Sequence, residues 1–140
     1  MKILFICKFN RYRSNIALAL FKKQNKNKNL QARASGIIQG PPTIKKMREV
    51  AKEFNVTLKD NPKSLTEANY NWADLVVIVG NDIPKRLFDN IEGTPREVIV
   101  WKLKDVMQFD LDYHENTRLL TKKIENKVKK LVKKYDKLSA

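Results

Sequence analysis

Apolar positions along this chain follow two different periods. Ile3 to Ile6 and Leu75 to Val79 are unbroken apolar runs of strand length, the pattern of strands covered on both faces in a parallel sheet. Lys2 to Ile6 is therefore expected as the first strand. Ser14 to about Gln24 should form the first helix, with Ile16, Leu18, Ala19 and Leu20 turned toward a sheet. A short second strand is predicted at Gln31 to Ala34, broken by Ser35-Gly36. Beyond the Pro41-Pro42 loop, Thr43 is expected to cap a helix through Ile44, Met47, Val50, Ala51 and Phe54. Leu65-Thr66-Glu67 opens a short helical turn, Asp82 is expected to cap a helix through Leu87 and Phe88, and Glu97 to Trp101 reads as a fourth strand. From Arg118 to Lys137, Leu120, Ile124, Val128, Leu131, Tyr135 and Leu138 recur three and four apart, the signature of a long amphipathic helix. Strands alternating with helices predict a small doubly wound α/β sheet of four parallel strands in the order 2-1-3-4, with helices on both faces. Ligands of such a sheet bind outside the carboxyl end of its first strand.

Length and charge refine this picture. The 140 residues suit one domain, 1–140, and no repeat or Gly/Ser-rich linker divides them. Lys22 to Asn29 reads as a frayed helix end and loop. No apolar run is long enough to cross a bilayer, and Met1-Lys2 leads straight into a strand, so a cytoplasmic protein with no membrane partner is expected. The balance of 29 Lys+Arg against 15 Asp+Glu leaves a net charge of +14. Much of the excess lies on the polar face of the last helix, and no aromatic-interleaved basic motif accompanies it. Nucleic acid is thus an unlikely partner. The remaining effect is long-range attraction of anions, which salt weakens.

The candidate chemistry lies just after the first strand. Cys7, the only cysteine, stands in Cys7-Lys8-Phe9-Asn10-Arg11-Tyr12-Arg13-Ser14, a C-x5-R-S spacing between a predicted strand and a predicted helix. Lone cysteines are commonly small buried hydrophobes. This one sits where successive backbone N–H groups and a helix N-terminus converge on an anion. A thiol in that concavity is expected to ionise at neutral pH, and Arg13 offers the planar fork that grips two phosphate oxygens. These residues describe a cysteine nucleophile that attacks phosphorus. Such an attack expels an alkoxide or phenoxide, so an acid must supply a proton. Asp105, a few residues past the fourth strand, is the first choice, with Asp110 second and Asp112 read as an N-cap for the last helix. The single His, His114, is expected to be exposed. No carboxylate-histidine cluster suggests a metal, and no cofactor is expected.

These residues resemble the low-molecular-weight protein tyrosine phosphatases and the related thiol arsenate reductases, whose loop reads C-x-G-N-x-C-R-S-P after the first strand. Cys7, Asn10, Arg13 and Ser14 fill defining positions, and the likeness continues through Ser35-Gly36, Pro41-Pro42, Lys63-Ser64-Leu65-Thr66, Ala73 to Ile78 and the late Asp. The resemblance implies a flavodoxin-like sheet. It implies Cys7 as nucleophile, Arg13 as phosphate clamp, Asp105 as general acid and then base, Asn10 in left-handed geometry, and Ser14 as a hydroxyl bonded to the thiolate. The segment Lys8, Phe9, Asn10, Arg11, Tyr12, Arg13 and Ser14 would surround the phosphate. The implied substrates are a phosphorylated protein or a small aryl phosphate, with inorganic phosphate as product. Four positions depart from the pattern. Phe9 stands in place of Gly, and Asn15 in place of Pro. Tyr12 replaces the second loop cysteine, so a protective disulfide cannot form. Val106 follows Asp105 where the family has Pro. Phe9, Tyr12, Trp101 and Phe109 are candidate aromatic walls. The alternatives are a phosphate-binding module with impaired catalysis, or an arsenate reductase that uses an external thiol.

Overall fold

The computed structural model describes residues 1–89, 97–107 and 110–139. Four strands, β1 (Lys2–Cys7), β2 (Gln31–Gly36), β3 (Leu75–Val79) and β4 (Glu97–Trp101), form one parallel sheet in the order β2-β1-β3-β4. Helices α1 (Arg13–Gln24), α2 (Lys45–Glu53), α3 (Glu67–Trp72) and α4 (Tyr113–Ser139) connect or close it, with a 3₁₀ turn at Lys85–Phe88.

The unbroken apolar runs are buried on both faces, as their pattern requires. Ile3, Phe5, Leu75, Val77 and Trp101 pack with residues of α1, α2 and α4, including Ile16, Leu20, Met47, Ile124 and Val128. On the opposite face Leu4, Ile6, Val76 and Ile78 pack with Tyr70, Ile83 and Phe88. Alternate side chains of one strand thus feed two cores. Trp101 lies against Phe5, with ring centroids 5.8 Å apart, and belongs to the core rather than to a substrate wall.

The boundaries of β3 and β4 match the sequence reading. Other local expectations give way to longer-range partners. β2 runs on through Ser35 and Gly36 because β1 and the 63–65 segment pair with Gly36 on its two sides; Gly36 N–H donates to Lys63 O at 2.8 Å. Thr43 does not cap α2. Ile44 occupies that position without a side-chain bond, while Thr43 Oγ1 meets Asp60 and Arg48. Thr66 does cap α3, its hydroxyl accepting from Asn69 N–H at 3.1 Å. The polar stretch after α1 is laced rather than frayed: Asn25 and Asn27 side chains bond the backbone of Asn27, Asn29 and Leu30. Asp112 O accepts from Asn116 N–H, the first bond of α4. Phe109 lies outside the described residues.

Candidate active site

β1 carries Cys7 to the carboxyl edge of the sheet, and the chain turns through residues 8–12 into α1. Three backbone bonds hold this turn against the segment after β2: Ile37 N–H to Cys7 O, Ile38 N–H to Lys8 O, and Gly40 N–H to Phe9 O, at 3.0, 3.0 and 3.2 Å. The approach is close. A Cβ on Gly36 would lie 2.6 Å from Asn10 N and from Phe9 C, so glycine is required there. Asn10 adopts φ 53°, the left-handed region that Asn tolerates. Phe9 is not among the described non-glycine residues with positive φ. The turn therefore accommodates a side chain where the resembled pattern has Gly.

A polar chain runs behind Cys7. Lys63 N–H donates to Asn10 Oδ1 at 3.0 Å, Asn10 Nδ2 donates to Ser14 Oγ at 2.8 Å, and Ser14 Oγ lies 3.0 Å from Cys7 Sγ. Asn10 fills an acceptor site of the serine hydroxyl. The single serine proton is then free to point at Cys7 or at Ser35 O, 3.3 Å away. Asn10, Arg13 and Ser14 are all buried.

Arg13, only 2% exposed, is held by a residue that sequence reasoning assigned elsewhere. Asp82 does not cap a helix. Its Oδ1 and Oδ2 accept from Arg13 Nη1 and Nη2 at 3.0 and 2.9 Å, a bidentate pair, and Pro84 occupies the cap position of the following turn. Leu103 O accepts from Nη1 at 3.2 Å. Of the five N–H groups, these bonds consume both on Nη1 and one on Nη2. Among the described residues Nε–H and the second Nη2–H remain without a hydrogen bond, the side-on edge of the fork. Gly80 makes the pairing possible, since a Cβ there would strike Arg13 Nη1 and Asp82 Oδ1. Burial pushes the Asp82 carboxyl up, but the Arg13 bonds and charge outweigh it and hold the group below the usual carboxylate range. Burial also opposes charge on Arg13, and Asp82, Asp105 and Cys7 reverse that effect.

Asp105 lies across from this edge, its Oδ2 3.7 Å from Arg13 Nη2. The side chain is 49% exposed. Its Oδ1 accepts from Val106 N–H at 2.9 Å, a bond that proline at 106 could not make. Cys7, Arg13 and Asp105 line one hollow of about 320 Å³, walled by Phe9, Pro41, Met47, Val106 and Met107. Arg11 and Tyr12 also border it. Arg11 is fastened by Nε to Pro42 O at 3.0 Å.

The remaining candidates, apart from Tyr12, fall outside this hollow. Lys8 is exposed, its ammonium 5.3 Å from the Phe9 ring centre. Tyr12 points its hydroxyl into the core, 2.6 Å from Thr121 Oγ1, which donates onward to Thr117 O. Burial drives the Tyr12 phenol well above its ordinary range, against the opposing effect of the Thr121 bond. Asp110 borders a neighbouring hollow that shares Asp105 but not Cys7. His114 binds Glu53 Oε2 at 2.8 Å, part of a surface cluster with Arg118. Asn15 proves structural: its amide exchanges two bonds with the Lys59 backbone, at 2.8 and 3.1 Å, pinning the first turn of α1 to the 59–63 segment. Among the described residues no group of His, Cys, Asp and Glu is placed to hold a metal ion.

The family model for low molecular weight phosphotyrosine protein phosphatase matches residues 2–139. No curated protein matches the chain. Among solved structures, arsenate reductase from Archaeoglobus fulgidus is similar at 25% identity and TM-score 0.74, over 93% of this chain and 98% of that one. Low molecular weight protein tyrosine phosphatase from T. tengcongensis superposes with TM-score 0.81 at 22% identity, over 96% and 99%. Wzb from Vibrio vulnificus, in complex with benzylphosphonate, does so with TM-score 0.76 at 20% identity, over 95% and 97%. The last two establish likeness of fold, which agrees with the parallel sheet and the loop that follows its first strand. With the family pattern spanning the whole sheet and the C-x5-R-S loop at its carboxyl edge, this chain belongs to the low molecular weight phosphotyrosine protein phosphatase family.

Proposed function

We propose that the protein hydrolyses phosphate monoesters of aryl type, phosphotyrosine in proteins or a small aryl phosphate, through a phosphocysteine on Cys7. The observation that carries this reading is the convergence of Cys7, the free edge of Arg13 and Asp105 on one hollow. Cys7 thiolate attacks phosphorus as the ester P–O bond breaks, and the Asp105 carboxylic acid gives its proton to the departing oxygen. Nε–H and the free Nη2–H of Arg13 hold two phosphoryl oxygens in the transition state. Water then attacks the phosphocysteine. Asp105 carboxylate takes a proton from it, the P–S bond breaks, and inorganic phosphate leaves with Cys7 again a thiolate. Ser14, its acceptor side filled by Asn10, donates to the sulfur and stabilises its negative charge as leaving group.

The apolar walls favour an aryl group over a sugar or a small polar ester. The Vibrio vulnificus neighbour holds benzylphosphonate, an aryl-bearing phosphonate of related shape. The arsenate reductase neighbour supports a second reading, reduction of arsenate bound in the same loop. Cys7 is the sole cysteine in the sequence, so that chemistry requires an external thiol as reductant.

Turnover of para-nitrophenyl phosphate with chelator present tests the proposal. Wild type should hydrolyse it, Cys7→Ser should not, and Asp105→Asn should lose roughly 10²–10⁴-fold in kcat. A rate unaffected by Cys7→Ser overturns the mechanism. Thiol-dependent arsenate reduction without ester hydrolysis favours the second reading.

A further inference from the structure

A second hollow lies behind the loop, on the open edge of the sheet. Its volume is about 360 Å³, and its floor is formed by β2 at Ala32 to Ala34, by α1 at Leu18 and by Asn10 and Asn15. Cys7, Arg13 and Asp105 do not line it. Its rim carries Lys22 from α1 and Lys59 and Lys63 from the segment before α3. Among the described residues no ion pair engages these three ammonium groups. Asp60, between two of them in sequence, does not line the hollow, and its Oδ1 meets Thr43 instead. Arg33 adds a fourth cation, anchored by Asn69 at 2.9 Å and stacked 4.1 Å from the Trp72 ring centre.

Two further features suit an anion. β2 is an edge strand, and its N–H groups alternate between β1 and the outside. Gln31 and Ile37 donate inward, to Met1 O and Cys7 O, whereas Gly36 donates outward, to Lys63 O. Ala32 and Ala34 share the parity of Gly36, so their N–H groups, each beside its own carbonyl, point to the outer side that the hollow occupies. The segment that bears the lysines is also pre-set: Asn15 clamps Lys59 through both of its backbone groups, and Asn10 Oδ1 holds Lys63 N–H. The lysines disturb one another. Lys22, then burial, then Lys63 hold the Lys59 ammonium below its ordinary pKa.

We infer that this hollow is an anion site, separate from the Cys7 hollow, for a small ligand bearing two or more phosphoryl groups. Three uncompensated ammonium groups and Arg33 call for several negative charges on one ligand. The outward N–H groups of Ala32 and Ala34 supply directed donors that phosphoryl oxygens accept, and Asn61 lines the same hollow. Roominess beyond the needs of one phosphoryl group favours a diphosphate or longer chain over orthophosphate. The inference does not depend on the reaction proposed for Cys7.

Pyrophosphate is the probe, titrated into ¹⁵N-labelled protein. The amides of Ala32, Ala34, Asn61 and Lys63 should shift in a saturating manner. Lys59→Ala/Lys63→Ala should bind there roughly tenfold more weakly. Lys127→Ala/Lys130→Ala, which removes the same charge from the far helix α4, should leave that affinity within about twofold. Shifts confined to residues 7–14 overturn the inference, as does an equal loss in both double variants, which would reduce the effect to general attraction by a basic protein. Absence of saturation overturns it too. Lys22→Gln gives the same reading should the first double variant fail to fold.

Discussion

The loop that holds Cys7 and the loop that holds Asp105 face one hollow but are built differently. Residues 7–14 are buried or half-buried apart from Lys8, stitched to the 36–40 segment by backbone bonds and to Lys63 through Asn10. Asp105 is half exposed, and its Oδ1 accepts from the next residue's N–H. The difference follows from the work proposed for each. A group that grips phosphate gains from donors fixed before binding, because fixed dipoles need no reorganisation as charge develops. An acid that first gives and then takes a proton must meet two different oxygens, so a side chain free of packing suits it.

This contrast predicts that substitutions in the two loops separate stability from turnover. The largest effect is expected at Asp105. Asp105→Asn should cost the 10²-fold or more given above while moving unfolding free energy by less than about 0.5 kcal/mol, the usual surface range. A large loss of stability in urea unfolding would break the comparison.

Asp82→Ala should do the reverse in part. It takes from a buried guanidinium two of its three hydrogen bonds and should destabilise by roughly 2–3 kcal/mol, less than a fully buried pair because 31% of the Asp82 side chain meets water. It should also weaken vanadate inhibition, since Arg13 is no longer held with its side-on edge toward the hollow. The pH dependence has a definite sign. The folded Asp82 carboxyl is held below its unfolded value, so its stabilisation is complete above the unfolded range and disappears as pH falls through the folded one. The Tm gap between wild type and Asp82→Asn should therefore be full at neutral pH and shrink below about pH 4. A gap that stays constant down to acid denaturation would mean that the pair contributes little.

The smallest effect concerns Tyr12, which ties the grip loop to α4. Tyr12→Phe removes the bond to Thr121 and should cost about 1 kcal/mol in chemical denaturation. No loss would show that the loop's rigidity comes from its backbone bonds alone.

Much of this arrangement was legible in the chain. Elements that depend on local pattern, β1, β3, β4 and the amphipathic α4, lie where the hydrophobic periods put them, because a run such as Leu75 to Val79 can be satisfied only between two covering layers. The C-x5-R-S spacing brought Cys7, Asn10, Arg13 and Ser14 together for a similar reason: one turn between a strand and a helix leaves them no other place. The errors have a common cause. Asp82 and Thr43 are short polar side chains with good local roles as caps, and each takes a partner distant in sequence instead, Arg13 or Asp60. Local propensity differences of well under 1 kcal/mol cannot compete with satisfying a buried guanidinium or a buried backbone amide.

By itself, then, the sequence determined the order of strands and helices, the parallel sheet and the gathering of Cys7, Asn10 and Ser14 in one turn, since these rest on periodicity and on neighbours within one turn. Only the tertiary structure decided which carboxylate orients Arg13, which edge of that guanidinium remains free, and that three lysines from two separate segments surround a single hollow. Those outcomes depend on distances between residues dozens of positions apart, and no local pattern encodes them.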